Sequence, residues 1–213
     1  AALRAGAYVV IASHLEDQLE EARAELAHGH GGGALSTCVL DVRDRRAVDY
    51  CFGEVGAFDH LVVTAAEVSA APFIEADPDE ARKIVDIKFW GPFHAVQAAL
   101  PYLREGGSVT LFSGITASRP VRGLSVVAAV NGAVEAFTRA LAVEVCPLRV
   151  NAVSPGFVNT HELDEERRTA LANSLPVRRV GEAADVAEAV LFLMQNPYVT
   201  GTVLHIDGGK SIS

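Results

Sequence analysis

AYVVIASHLEDQLEEARAELA, residues 7–27, changes its period halfway. Ala7–Ser13 is a near-continuous apolar run, the pattern of a strand buried on both faces. From His14 to Ala27 the apolar residues Leu15, Leu19, Ala22 and Leu26 recur at helical spacing, and Ser13 with Glu16 fits a capping box. The same unit then repeats. ALSTCVLD (34–41) reads as a strand, and DRRAVDYCFGEV (44–55) as a helix with Asp44 as N-cap. HLVVTAA (60–66) is a third strand, followed by a long helical stretch over 79–104 that Pro92 should kink or break, because proline has no N–H to donate. GSVTLFSG (107–114) is a strand; residues 127–143 are helical, with Val130, Ala133, Val134, Phe137 and Leu141 on one face. LRVNAVSPG (148–156), a polar insert over 159–179, a helix at 185–194 and a strand at 202–207 complete the order. Strands alternating with helices through short connections predict an α/β fold, a doubly wound parallel sheet with helices on both faces.

The 213 residues suit a single domain, and 50% hydrophobic content suits a packed core. A net charge of -9 argues against nucleic acid or an anionic membrane surface as partner. Cys38, Cys51 and Cys146 are scattered and lack CxxC spacing, so they are expected to be reduced core residues of a cytoplasmic protein. No apolar run of membrane-spanning length and no signal peptide is expected. His28 and His30 flank glycine in a loop, and no metal site is expected.

Six segments, in order, resemble the short-chain dehydrogenase/reductase family, a Rossmann-like family using NAD(H) or NADP(H). They are LDVRD (40–44), FWGPFHAVQAALPYL (89–103), GGSVTLFSG (106–114), GAVEAFTRALAVEV (132–145), RVNAVSPGFVNT (149–160) and VTGTVLHIDGG (199–209). The resemblance implies a nicotinamide dinucleotide as partner and a small carbonyl or alcohol substrate. It places Asp41 at the adenine amino group with Val42 contributing backbone; a turn aspartate is an equal reading of Asp41. Thr64, Ala65 and Ala66 stand beside the adenosine ribose where the family has Asn-Asn-Ala, and Glu67 replaces a glycine near the pyrophosphate path. Pro155 and Gly156 match the family's Pro-Gly turn after the fifth strand, and Val158 and Thr160 match the positions that hold the nicotinamide carboxamide. Ser13 and His14 occupy the strand end that selects the cofactor; with no acid there, the reading leans to NADP, although a capping Ser13, a solvated His14, and nearby Glu16 and Asp17 weigh against it. Ala128, Ala129, Gly132, Ala133 and Ala136 form a small-residue helix face. In the family the equivalent helices pair into homodimers and homotetramers.

Two things the family has are missing. AALRAGAYVVIAS aligns with the end of the family's first helix and its second strand, so the first strand and the glycine-rich turn are absent and the domain is read as N-terminally truncated. The lost strand would lie between 7–13 and 60–66, leaving unpaired edges there. The family's catalytic tetrad is also substituted. Val127 stands at the tyrosine, Asn131 at the lysine four residues on, Gly114 at the serine, and Asp86 at the asparagine. The Gly114–Val127 separation keeps the family's thirteen residues, yet valine and glycine have no proton to give. Lys88, two residues from Asp86 on a helix, is expected to face elsewhere. His161 is a further candidate proton donor and equally a solvated loop residue.

Overall fold

The computed structural model describes residues 1–27, 34–159 and 164–213. The alternating elements predicted from the period changes form. β1 (Val9–Ser13) leads to α1 (Glu16–Ala27), β2 (Leu35–Val39) to α2 (Arg45–Val55), and β3 (Phe58–Val63) to α3 (Pro78–Val85) and α4 (Gly91–Ala99). β4 (Leu103–Phe112) precedes α5 (Ser125–Glu144). β5 (Arg149–Pro155), β6 (Val158–Asn159), α6 (Glu165–Asn173), β7 (Gly181–Glu182), α7 (Ala183–Gln195) and β8 (Val203–Ile206) follow. Asp44 caps α2 as expected, its carboxylate accepting from the N–H groups of Arg46 and Ala47. Ser13 Oγ accepts from Leu15 N–H ahead of α1.

All strand pairings are parallel, in the order β3-β4-β5-β8 for the larger sheet and β1-β2 for a separate pair. Among the described residues β1 and β3 do not pair, so the β1-β2 pair is separate from the larger sheet. Burial follows this break. Residues 107–111 of β4 and 149–154 of β5 are buried, whereas Ala12 of β1 and Asp59 and His60 of β3 are exposed.

One face of the larger sheet packs on α2, α4 and α5 through Val48, Phe52, Val96, Ala99, Val134 and Leu141. The other packs on α7 through Val186, Ala189, Val190 and Leu193. By composition and length α5 is apolar enough to cross a membrane, which corrects the expectation that no such run exists. Here it lies on the sheet with Val127, Val130, Val134, Thr138 and Leu141 buried.

The helical stretch predicted over 79–104 is interrupted. Between α3 and α4 a wide π-type turn spans Asp86–Trp90, closed by the Gly91 N–H donating to the Asp86 carbonyl five residues back. Pro92 explains it: with no N–H on residue 92, the Lys88 carbonyl has no i+4 donor, and the ladder slips by one residue. Gly91 is needed here too, since a Cβ would lie 2.7 Å from Val42 Cγ2. Beyond residue 99 the chain leaves the helix, and Leu103 already begins β4.

The cysteine expectation fails. Cys38 on β2 and Cys51 on α2 are joined in a disulfide, and Cys146 is exposed rather than in the core. Both paired residues face the layer between β2 and α2, a proximity their separation of 13 residues did not reveal.

Candidate functional site

In a parallel sheet the strands' carboxyl ends and the loops after them form the ligand crevice. Here those ends are Val63, Phe112 and Pro155, and the sequence-predicted residues gather round them in two groups.

The first group lies at the ends of β1, β2 and β3. Asp41 is gripped by Arg43: Oδ1 accepts the Arg43 backbone N–H at 2.9 Å, and the guanidinium contacts both oxygens, at 2.6 Å for Nη2 to Oδ2. Hydrogen bonding from Arg43 is the main force holding the Asp41 carboxyl below its usual pKa, and the positive charges of Arg43 and His14 add to it. His14 and Asp41 therefore share one corner of the site, with Ser13 half-buried at the strand end. Thr64, Ala65 and Ala66 leave the end of β3 with small side chains, two of them exposed. Glu67 is paired with Lys83 at 3.6 Å, so its charge is partly balanced.

The second group forms where β4 ends against α5. Gly114 is extended backbone, and a Cβ there would stand 2.9 Å from Asn131 Nδ2. The room a serine side chain would use at 114 is thus taken by the Asn131 amide. Asn131 is 2% exposed and donates from Nδ2 to Thr116 Oγ1 at 2.7 Å, while its Oδ1 is buried with no partner among the described residues. Ser113 Oγ lies 2.9 Å from Glu135 Oε1 and 3.2 Å from the Asn131 carbonyl. Val127 is buried against Ile84 and Val130, a hydrocarbon wall.

Asp86 and Lys88 face apart, as expected of residues two apart on a helix, but Lys88 is the one turned inward. Asp86 is exposed, with its charge felt by Arg43, whereas Lys88 is buried and donates from Nζ to the Ser113 carbonyl at 3.3 Å. The π-type turn sets this register, which the assumption of a regular helix missed. Burial holds the Lys88 pKa below its ordinary value, because desolvation penalises the ammonium. The available signal was Pro92, four residues after Lys88, which marks the ladder defect.

Gly156 passes close to β8, where a Cβ would lie 2.7 Å from the Asp207 Cα, so glycine is required there on packing grounds alone. Val158 pairs through β6 with Gly181 and packs on the α7 cluster. Thr160, His161, His28 and His30 lie outside the described residues. Among the described residues no group of three metal-ligating side chains occurs. A shallow hollow lined by Asp77, Glu80, Ile84 and Val126 among others opens beside the first turn of α5. Val127 and Asn131 do not line it, so it neighbours the site rather than forming it.

The family model described as enoyl-(acyl carrier protein) reductase matches residues 1–211. A human 3-oxoacyl-[acyl-carrier-protein] reductase is 32% identical over 211 residues, covering 95% of this chain and 86% of that one. A crystal structure of a small-chain dehydrogenase in complex with NADPH superposes with a TM-score of 0.81 at 35% identity, covering 97% of this chain and 99% of that one. An apo short chain oxidoreductase from Pseudomonas aeruginosa PAO1, described as containing an atypical catalytic center, superposes with a TM-score of 0.91 at 27% identity, covering 100% and 90%. With the parallel sheet and the crevice at its carboxyl ends, these matches show that the chain belongs to the short-chain dehydrogenase/reductase family of oxidoreductases.

Proposed function

We propose that this protein is a nicotinamide-dinucleotide-dependent oxidoreductase that interconverts a carbonyl and an alcohol on a small substrate, through an active site that has lost the family's tyrosine. The observation that carries this reading is the buried, unpartnered Oδ1 of Asn131 at the crevice. An acceptor left unsatisfied in the interior costs about 1–3 kcal/mol, and a ligand hydroxyl relieves that cost. Asn131 stands where the family's lysine binds the nicotinamide ribose, so the orphan atom suits a ribose hydroxyl. At the other end Asp41, Val42 and the small Thr64–Ala66 segment suit the adenosine. When bound, the reduced dinucleotide supplies the hydride; the protein's task is to hold it, shape an apolar wall with Val127 and deliver a proton.

NADP(H) is favoured over NAD(H). No acid stands at the end of β1 itself, at Ser13 or His14, and Arg43 presents a guanidinium at the corner it shares with Asp41, where a 2′-phosphate would lie. The small-chain dehydrogenase with NADPH supports the same choice. We also read the opening between β1 and β3 as the place of one further parallel strand, with the pyrophosphate at its end. The exposed stripe of Ala129, Ala133, Ala136 and Val143 on α5 suits a second copy in a homodimer or homotetramer.

A second reading has its own support. Val127 is hydrocarbon at the tyrosine position, which fits a catalytically silent homologue that binds nucleotide as a regulatory or structural subunit. Titrating the protein with NADPH and NADH, read by nicotinamide fluorescence, tests the common part. NADPH is expected to saturate in the micromolar range, roughly tenfold or more tighter than NADH. Absence of binding by either cofactor would remove both readings.

A further inference from the structure

Lys88 is buried for no reason the reading above supplies. It is 6% exposed, and its one hydrogen bond among the described residues is to the Ser113 carbonyl. An ammonium carries three donors, and the Ser113 carbonyl takes one of them. No carboxylate lies within ion-pair distance of it among the described residues. Such burial is expensive, and proteins keep it where a function needs the group. Across Ser113, Asn131 Oδ1 is buried without a donor. Both residues meet Ser113, Lys88 through the Ser113 carbonyl and Asn131 through its own carbonyl, which accepts from the Ser113 hydroxyl, so a buried cation and a buried unsatisfied acceptor adjoin the same residue.

We propose that Lys88 is the active-site cation and the proton source of this reductase, presented from the helix opposite the one that carries the lysine in the family. Lysine and asparagine have exchanged helices: Asn131 occupies the α5 position and Lys88 reaches in from the turn before α4. Gly114 accommodates the exchange, because any side chain there meets the Asn131 amide. In the reducing direction the carbonyl carbon gains a hydride, and its oxygen takes a proton from the Lys88 ammonium. One N–H bond breaks as the O–H bond forms, and the neutral amine regains its proton from water. Desolvation also makes this ammonium a readier acid than an exposed lysine.

The inference rests on the reductase reading, and the test separates the two. Lysine methylene and ammonium resonances of the wild type are followed while oxidised NADP is added, and Lys88→Met assigns the Lys88 signal. Binding is expected to shift that signal; a signal unmoved at saturation overturns the proposal. In single turnover with NADPH and a β-ketoacyl thioester, Lys88→Met is expected to lose about 10²–10⁴ in rate while binding NADPH within roughly fivefold of wild type. The double exchange Lys88→Asn with Asn131→Lys is expected to recover at least about tenfold over Lys88→Asn alone, which a purely structural lysine would not produce. Turnover that survives Lys88→Met overturns this proposal and leaves the reductase reading standing. A wild type that binds but never turns over, or never binds, overturns both.

Discussion

Arg149→Met is expected to lower the unfolding free energy by about 3 kcal/mol, and the melting temperature by roughly 6–12 °C. Arg149 opens β5 and is 7% exposed, yet it has no carboxylate partner among the described residues. Its guanidinium donates from Nη1 to the Leu193 carbonyl at 2.5 Å and to Val199 at 3.5 Å, and from Nη2 to Met194 at 2.6 Å. Leu193 and Met194 belong to the last turn of α7, whose carbonyls lack helical partners and carry the negative end of the helix dipole. One planar cation thus satisfies three carbonyls and fastens α7 to β5. Methionine matches the stem but leaves the Leu193 and Met194 carbonyls without this donor, while the Val199 carbonyl keeps its bond from Asn151 Nδ2 at 2.9 Å. Arg149→Lys should recover only part of the loss, since an ammonium does not present the same fork. Thermal and urea unfolding followed by circular dichroism check this. A change below about 1 kcal/mol for Arg149→Met would show that α7 does not depend on this cap.

Amide hydrogen exchange should differ by on the order of a thousandfold or more between the broken and continuous parts of the sheet. In a parallel ladder alternate residues bond to opposite sides. Val9 donates to the Ala34 carbonyl, so the same alternation turns the amides of Val10 and Ala12 away from β2 and into the opening. β4 lies between β3 and β5, and Val109 and Leu111 are fully buried. Val10 and Ala12 are expected to exchange rapidly, with Val109–Leu111 among the most protected amides. The contrast has a functional side, because the cofactor's pyrophosphate is proposed to lie at this opening. Equal protection of Val10 and Leu111 in this 213-residue chain would mean that β1 pairs with β3, whereas adding the further strand proposed for the opening is expected to protect Val10 and Ala12.

The fold was legible because its strands are apolar on both faces and its helices on one. VNAVS in β5 and VVIA in β1 admit no helical period, and Val130, Val134 and Leu141 admit no other. What escaped was what depends on register or on distant chain. Asp86 and Lys88 differ by two residues, and only the slip imposed by Pro92 decides which is buried. Cys38 and Cys51 meet because β2 and α2 pack face to face. Arg149 reads as a strand-flanking charge until α7, more than forty residues later, brings its carbonyls down upon it. The residues at 114, 127 and 131 could be read from the sequence, but the burial of Lys88 and the unsatisfied Oδ1 of Asn131 are properties of packing.

The most direct measurement is isotope transfer. The wild-type protein is incubated with NADPH carrying deuterium at C4 of the nicotinamide and with a β-ketoacyl thioester, and the hydroxyacyl product is weighed by mass spectrometry. Deuterium on the carbinol carbon, in an amount matching the NADPH consumed, is the predicted result. NADPH that saturates the protein yet leaves the ketone unlabelled across a panel of carbonyl substrates would contradict it, and would identify a protein that kept the nucleotide and gave up the chemistry.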